Sequence, residues 1–407
     1  VGWGRSHSRR RRFLVGPPRV APFFNDLNPA EGGQVTLLSE AGRLVVTWRE
    51  VPECCLPEIK PLSTFQVALF ADGSLQFAYG AVGADSAVVG ISPGSFTATP
   101  KILDLSAAAG SELITLPIAE IFLPAATLSQ VAAARKFYAG HEDAYDFLVF
   151  WTNFPFDMGP GTVARAWGIL NDVSGIGLPS MNYAGDFGSS RLATLIEMGD
   201  IRGYPSDPTQ VFAGPNNTLS VLGQETGHRW LVRFRYPYGD DPRSTILLGR
   251  DNWHWSFFFN SQASVMEGNE IRDNGDGSFT TTDAVRRYNA FDQYGMGLLT
   301  PEEAPPSFVV VNPDISGAGR NPRVGVTFRG TRLNVFQDKL VEANGRRLPG
   351  PAVSARSFRF AFVLINGKGQ TVAPQHVQLL ETIRRQWEPF FAQATGGRAR
   401  ADTRLLR

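Results

Sequence analysis

Hydrophobic and polar residues alternate in short runs over the first quarter of the chain. Alternation with a period of two residues is typical of strands with one buried face. The runs lie at residues 34–38, 43–48, 64–70 and 74–79. Ala71-Asp72-Gly73, between the last two runs, is a hairpin signal. The pattern predicts a small antiparallel β module.

The pattern changes after residue 126, where longer apolar segments begin. Residues 128–138 have the composition of a short helix, and 145–152 form a continuous apolar run of strand length. Such runs are typical of interior strands in a sheet that is covered on both faces. Another strand is expected at 191–201. We therefore expect a second domain built around a buried sheet.

The last hundred residues contain both strand and helix patterns. Strands are expected at 308–311, 323–328 and 357–365. Apolar residues then recur at helical spacing before a Gly-Gly stop; they are Val377, Leu380, Ile383, Trp387 and Phe391. This spacing predicts a long helix that packs on a sheet.

Together these patterns predict an α+β protein. A chain of 407 residues is long for one core, since domains of about 100–200 residues are usual. We expect a basic tail at 1–20, an antiparallel β module at 21–125, a mixed-sheet domain at 126–305 and a C-terminal α/β subdomain at 306–407. The last of these is expected to pack on the mixed-sheet domain.

Composition narrows the classes of partner. The formal net charge is +1, which gives no broad field to attract nucleic acid. No apolar run reaches the roughly 18 residues of a membrane span. The two cysteines, Cys54 and Cys55, are neighbours, so no ordinary disulfide is expected. The four arginines at 9–12 fit either a solvated basic tail or the end of an export signal.

The segment 223–230, Gly-Gln-Glu-Thr-Gly-His-Arg-Trp, carries the most specific chemistry. A helix is expected from 219 to about 234, capped by Asn217 or Thr218. Gln224 and His228 are four residues apart, so they lie on one helix face, with Glu225 beside them. In the zinc-hydrolase motif His-Glu-x-x-His, two imidazoles bind the metal and the glutamate takes a proton from water. Gln224 stands where the first imidazole is expected, and its amide oxygen is a weaker ligand for Zn²⁺.

Two glycines interrupt this helix, although glycine lowers helix stability by roughly 1 kcal/mol relative to alanine. Gly223 and Gly227 therefore indicate that another part of the chain approaches the backbone closely. A helix packed tightly on a sheet and a helix beneath a metal site both have this requirement. The sequence leaves both interpretations open.

A third metal ligand must come from elsewhere in the chain. His254, in the segment Trp253-His254-Trp255, is the best placed of the remaining histidines; the flanking tryptophans also suit a buried, hydrogen-bonded histidine. Glu267 is the rival ligand, or a turn residue. Met266 just before it can form a methionine-bearing turn beneath a metal. The predicted zinc ligands are thus Gln224 and His228 with His254 or Glu267.

Two further side chains are candidates for supporting roles in the segment 288–297. Asp292 is a candidate for orienting a ligand through a hydrogen bond. Tyr294 is a candidate for donating a hydrogen bond to an oxyanion during catalysis. Ordinary packing in the core is the alternative for both residues.

The first quarter of the chain resembles the nidogen-like β module of bacterial extracellular proteins. The resemblance rests on the segments 21–29, 44–48, 65–70, 72–73 and 88–91, which include Phe23-Phe24-Asn25 and Trp48. It implies a secreted or cell-surface protein. It also implies a cell-surface or matrix partner for the module.

The rest of the chain resembles secreted bacterial proteins related to zincin metallopeptidases. The resemblance rests on the segments 145–147, 152–154, 223–230, 254–256, 266–269 and 292–298. It implies a zincin-like fold with an active-site helix, bound Zn²⁺, and a protein or peptide substrate. Glu225 would be the general base. Because of Gln224, a catalytically inactive zincin fold that acts as a binding or adhesion protein is the alternative function.

Overall fold

The structure, a computed structural model, describes residues 13, 17–54, 62–84, 87–94, 101–102, 105, 118–122, 128–156, 158, 162–316, 321–367 and 370–406. The arginines at 9–12 and Cys55 lie outside this set. The chain divides into two compact units, Val1–Ser129 and Gln130–Arg407. The predicted division at 21, 125 and 305 stays a prediction.

The first unit contains two sheets. Its strands are β1 (Arg19–Phe24), β2 (Gln34–Glu40), β3 (Arg43–Pro52), β4 (Leu62–Phe70), β5 (Leu75–Val82), β6 (Ala87–Ser92), β7 (Lys101–Ile102) and β8 (Ile118–Phe122). Strands β2 to β5 form an antiparallel sheet in chain order. The second sheet has the order β1-β6-β8-β7, in which only β7 is parallel to its neighbour. The predicted N-terminal antiparallel sheet is confirmed.

A small aromatic core stabilises the first unit. Phe23 and Phe65 are buried with their ring centroids 5.0 Å apart, and Trp48 stacks on Phe65 at the same separation. The Tyr79 hydroxyl donates to the carbonyl of Pro22 at 2.7 Å and so links β5 to β1. Cys54 is disulfide-bonded. The other cysteine, Cys55, lies outside the described residues, so the expectation that this neighbouring pair forms no ordinary disulfide stays a prediction.

The second unit contains the remaining strands and, among the described residues, all five α-helices. The helices are α1 (Gln130–Tyr138), α2 (Thr218–Gly227), α3 (Ala290–Met296), α4 (Gln337–Asn344) and α5 (Pro374–Ala394). The strands are β9 (Phe147–Thr152), β10 (Arg165–Gly168), β11 (Leu170–Asn171), β12 (Met181–Asn182), β13 (Thr194–Asp200), β14 (Val211–Ala213), β15 (Asn216–Asn217), β16 (Tyr236–Tyr238), β17 (Asp241–Ser244), β18 (Asn269–Asp273), β19 (Ser278–Ala284), β20 (Ser307–Val311), β21 (Thr327–Arg329), β22 (Thr331–Val335), β23 (Ser357–Ile365) and β24 (Arg400–Asp402).

A mixed five-stranded sheet organises this unit, with the order β10-β13-β9-β23-β24. Strand β9 is central, is buried at every position, and runs parallel to both neighbours. Strand β10 is antiparallel to β13 and lies at the edge. Helix α2 packs on β13 and on α5, which in turn packs on β23 and β24. The α+β class and the mixed sheet are confirmed.

Two predicted elements differ from the structure. The helix expected to reach residue 234 ends at Gly227, and the left-handed backbone of Val232, with φ 59°, then turns the chain away. The strand expected at 323–328 is reduced to β21. Backbone bonds still join Thr281 to Gly325 and Val326. The Thr281 hydroxyl also donates to the carbonyl of Arg323 and accepts from the N–H of Val326, so the pairing before β21 is irregular.

Candidate functional site

Helix α2 carries the predicted motif into the core. Its first turn is closed by a capping box: the Asn217 side chain accepts from the Ser220 N–H at 2.8 Å, and the Ser220 hydroxyl accepts from the Asn217 N–H at 3.0 Å. Such a cap satisfies backbone donors that a helix start leaves unpaired. Every residue of α2 is buried. Gln224 and Glu225 lie in its last turn, with His228 at the C-cap.

His254 meets this helix from a separate loop. Its Nδ1 lies 3.0 Å from the backbone carbonyl of Arg250, which can only accept, so Nδ1 carries the proton. The lone pair of Nε2 therefore faces the site, where it accepts hydrogen bonds from the Gln224 amide and from Arg250. This Nε2 lies 3.1 Å from Nε2 of Gln224, and the His254 ring meets the His228 ring edge-on at a centroid distance of 5.3 Å. The structure thus brings Gln224, His228 and His254 together.

Burial keeps both histidines neutral. It lowers the pKa of His228 well below its ordinary value, with smaller contributions from His254, Arg233 and Arg250. It also lowers the pKa of His254. Neutral imidazole is the form that binds a metal. Among the described residues, however, the buried His228 Nδ1 has no hydrogen-bond partner, whereas a ligating histidine usually has an acceptor there.

Glu225 is only 4% exposed. Burial, followed by the charge of Glu267, raises its pKa to about 8, and Arg250 and a hydrogen bond from the backbone of Ala166 act in the opposite direction. Ala166 belongs to the edge strand β10. The carboxyl group of Glu225 therefore lies between helix α2 and the edge of the central sheet.

The turn that carries Met266 lies directly beneath helix α2. A Cβ atom added to Gly227 would overlap the Met266 sulfur, and it would lie 3.2 Å from Cδ1 of Leu231 and Cε1 of Tyr288. The close approach predicted from Gly227 therefore comes from a methionine. Gly223 is less tightly enclosed, with Cε1 of Phe390 at 3.1 Å from such a Cβ.

Glu267 is buried at the same site but is already paired. Its Oε1 accepts from Nη2 of Arg250 at 2.5 Å, and its Oε2 accepts from Nε of Arg250 at 3.3 Å. The same Oε1 lies 3.7 Å from Nε2 of His254. Nη2 of Arg250 also lies 3.3 Å from this nitrogen. The sequence patterns gave Arg250 no role, and its position four residues before His254 was the available signal.

Asp292 holds the loops of the site together from behind. One carboxylate oxygen accepts from the indole N–H of Trp255 at 2.9 Å, and the other accepts from the Ser264 hydroxyl at 2.6 Å. Trp255 follows His254, and Ser264 begins the turn of Met266. Asp292 thus positions the two loops and does not bond to an imidazole.

Tyr294 contacts residues outside the cluster of Gln224, His228 and His254. Its hydroxyl accepts from the backbone N–H of Arg347 at 2.9 Å, and its ring stacks on Phe234 at 6.0 Å. The structure therefore does not bring this hydroxyl into the cluster formed by Gln224, His228 and His254. Core packing, the alternative stated for Tyr294, describes these contacts.

The side chains at the site carry donor atoms that can bind a metal ion, but their present arrangement is not that of a metal site. Within the described part of the chain, no group of three or more His, Cys, Asp or Glu side chains is arranged to hold a metal ion. Glu267 faces Arg250, and the residue closest to His254 Nε2 is a glutamine. Two ligands of one tetrahedral Zn²⁺, each at about 2.0 Å, lie roughly 3.3 Å apart. The Gln224–His254 separation of 3.1 Å is close to this size, but it is a hydrogen bond that the amide nitrogen donates to the imidazole; the amide oxygen would have to turn toward the site to become a ligand. The candidate set is thus Gln224, His228 and His254, with Glu267 adjacent.

Comparison with known proteins adds no relative. The chain matches no family model, no curated protein sequence and no solved structure. The zincin-like and nidogen-like resemblances therefore stay predictions. The structure adds one coarse statement about location: among the described residues, no helix is long and apolar enough to cross a membrane.

Proposed function

We propose that this protein is an extracellular zinc-dependent peptidase. The observation that carries the proposal is the 3.1 Å approach of Gln224 and His254 side chains across two separate segments, with His228 beside them. Three residues singled out by spacing and by loop position thus meet at one point. Secretion rests on the nidogen-like resemblance of the first unit.

Each side chain of the site has a distinct role in this proposal. His228 and His254 bind the metal through neutral nitrogens, and Gln224 binds through its amide oxygen once the amide has turned over. Zn²⁺ supplies Lewis-acid chemistry, making water more acidic and polarising a carbonyl oxygen. Glu225 takes the proton from the attacking water and gives it to the leaving amine. A cation beside Glu225 favours its ionised form, which a base requires.

The edge of the central sheet supports a peptide as the substrate. Strand β10 is the last strand on its side of the sheet, so its outer edge pairs with no other strand of that sheet in the part of the chain described. An extended peptide can add to such an edge through its backbone. Because Glu225 contacts Ala166 in this strand, a peptide paired there would pass next to the proposed base.

Arg250 favours a second candidate function, a binding or adhesion protein without metal. Its guanidinium already provides a positive charge between Glu267 and His254. Because the carboxylate of Glu267 and Nε2 of His254 already have Arg250 as a hydrogen-bond donor, the site is stable without a metal. Under this alternative the zincin-like unit only presents surfaces to a partner at the cell surface or in the matrix.

Metal analysis of the purified protein separates the two functions. We expect about one zinc per chain and cleavage of casein or a peptide library. Glu225→Gln should keep the metal and abolish cleavage, whereas His254→Ala should lose the metal. His376→Ala, a histidine on α5 outside the cluster, is the matched control and should change neither. A protein that stays free of metal after incubation with zinc, and cleaves nothing, would overturn the peptidase in favour of the binding protein.

A further inference from the structure

Arg250 is the residue of the site whose contacts the proposed chemistry does not use. We propose that its guanidinium and a divalent cation are alternative occupants of the position between His254 and Glu267, so that Arg250 sets the metal affinity of the site. This inference rests on the proposed metal site. It adds a regulatory element that is built into the loop carrying His254.

The contacts of Arg250 show the competition directly. Its Nη2 donates to Oε1 of Glu267 at 2.5 Å and lies 3.3 Å from Nε2 of His254. Nε2 has a single lone pair, because Nδ1 carries the proton and donates to the carbonyl of Arg250 at 3.0 Å. That lone pair cannot bind a metal and accept from a guanidinium at the same time. The Gln224 amide nitrogen donates to the same lone pair at 3.1 Å. A metal on Nε2 therefore requires this amide to turn over and Nη2 of Arg250 to leave.

Charge reinforces this exclusion. The guanidinium is permanently positive, and a divalent cation about 2 Å from Nε2 would lie within a few ångströms of it. Two like charges at such a separation repel strongly where solvent is largely excluded. The side chains of His254 and Glu267 are only 7% and 10% exposed. The two cations cannot both occupy this place.

The loop offers Arg250 a second position outside the site. Nη1 of Arg250 lies 3.5 Å from a carboxylate oxygen of Asp251, whose side chain is 72% exposed. The Arg250 side chain is itself 39% exposed, so it can reach solvent without disturbing the core. Arg250 thus has an inner carboxylate partner, Glu267, and an outer one, Asp251. Arg250 makes both contacts in the same conformation, so metal binding breaks the contact with Glu267, keeps the contact with Asp251 and leaves Glu267 free to face the metal.

Zinc affinity measured by competition with a chelator, on the full chain, tests the exchange. Arg250→Gln should bind Zn²⁺ at least about tenfold more tightly than the wild type, because the competing charge is gone. Asp251→Asn should bind zinc about two- to threefold more weakly, because the outer position loses its charged partner. Arg243→Gln, in β17, is the control for removal of an arginine and should leave the affinity unchanged.

A double-mutant cycle identifies the role of Glu267. Glu267→Gln alone has two opposing effects: it removes a negative charge beside the metal, which weakens zinc binding, and it removes the anchor of Arg250, which strengthens it. The comparison with the double variant separates them. If Glu267 is a metal ligand after the exchange, the double variant Arg250→Gln/Glu267→Gln should bind more weakly than Arg250→Gln. If the two proteins bind zinc equally well, Glu267 only pairs with Arg250, and the proposal that Glu267 faces the metal after the exchange is wrong.

The outcomes separate this inference from the proposed function. A wild type and an Arg250→Gln variant that both fail to bind zinc would refute the metal site itself. Zinc binding by the wild type that is unchanged or weakened in Arg250→Gln would overturn the exchange and leave the metal site standing. Far-ultraviolet circular dichroism on each variant confirms that the fold is intact, and Arg250→Lys, which keeps the charge, should restore the lower affinity.

Discussion

Gly227 is the position where helix α2 and the Met266 turn come closest. Gly227→Ala should destabilise the protein by about 1–3 kcal/mol, because the new methyl group overlaps the Met266 sulfur and this side chain must shift within a fully buried part of the core. Gly223→Ala is the matched control. Its methyl group meets only the edge of the Phe390 ring at 3.1 Å, and alanine adds up to about 1 kcal/mol of helix stability.

Thermal and urea unfolding of the two variants decides this prediction. We expect Gly227→Ala to lower the free energy of unfolding, and Gly223→Ala to leave it nearly unchanged or to raise it. Equal effects at the two positions would show that helix propensity, and not the contact with Met266, governs both glycines.

At this scale the sequence predicted which residues meet, but not how they are paired. The four-residue spacing of Gln224 and His228 needed only helix geometry, and His254 was found because few histidines are available. The role of Arg250 could not be predicted, since its contact with Glu267 joins segments 17 residues apart through a turn. The contact of the Tyr294 hydroxyl with Arg347 was not predictable for a related reason, since the two residues are 53 positions apart.

Among the structural elements, helix α3 depends on a carboxylate that also organises the site. Asp292 accepts from the Asn289 N–H at 2.9 Å in a capping box, besides its bonds to Trp255 and Ser264. Burial raises its pKa to about 6, although the three donors act to lower it. The free energy of unfolding should therefore depend on pH through the ionisation of Asp292.

The sign of that dependence follows from the raised pKa. The folded state binds the Asp292 proton more tightly than the unfolded state, so this contribution to stability is complete below about pH 4 and is lost as the pH rises through about 6. The shift corresponds to roughly 3 kcal/mol at most.

Asp292→Asn should lose one of the three hydrogen bonds, and with it about 1–3 kcal/mol of the free energy of unfolding at low pH. The stability gap to the wild type should narrow between pH 4 and pH 7; chemical unfolding across that range measures it, and a widening gap would contradict the assignment.

Elements with strong periodicity were the ones that the sequence predicted well. The strand expected at 357–365 is β23, and the apolar spacing from Val377 to Phe391 lies within α5. Helix α4 and the hairpin of β18 and β19 were not predicted, because their sequences are polar and their apolar residues are few. The end of α2 also depends on tertiary structure, since Val232 adopts its left-handed backbone inside the core.

On the scale of the whole molecule, the division into two units leads to a further prediction. All residues of the candidate site belong to the unit Gln130–Arg407. A chain that begins near residue 128 should therefore fold without the first unit and keep the zinc affinity of the full protein within about twofold. Calorimetry and chelator competition on this shortened chain test the prediction. A shortened chain that is unfolded, or one that has lost zinc binding, would show that the first unit contributes to the site.

The α+β fold class could be predicted from the sequence because it depends on local patterns of apolar residues that recur many times along the chain. Alternating runs predicted the N-terminal sheet, and the apolar run at 145–152 predicted a buried central strand. The order β10-β13-β9-β23-β24 was not predictable. It pairs β9 with β23, more than 200 residues later in the chain, and no local pattern contains that information.

The contact between Met266 and Gly227 also makes the molecule sensitive to its oxidative history. The Met266 side chain is fully buried, and its sulfur lies so close to Gly227 that a methyl group on this glycine would overlap it. Methionine sulfoxide adds a polar oxygen to the sulfur, so in a chain oxidised while open we expect helix α2 to pack less stably on its turn. Peroxide should accordingly inactivate molecules during unfolding or synthesis and spare those already folded. For a protein proposed to act outside the cell, the order of folding and exposure to oxidant then determines how much of it keeps an intact site.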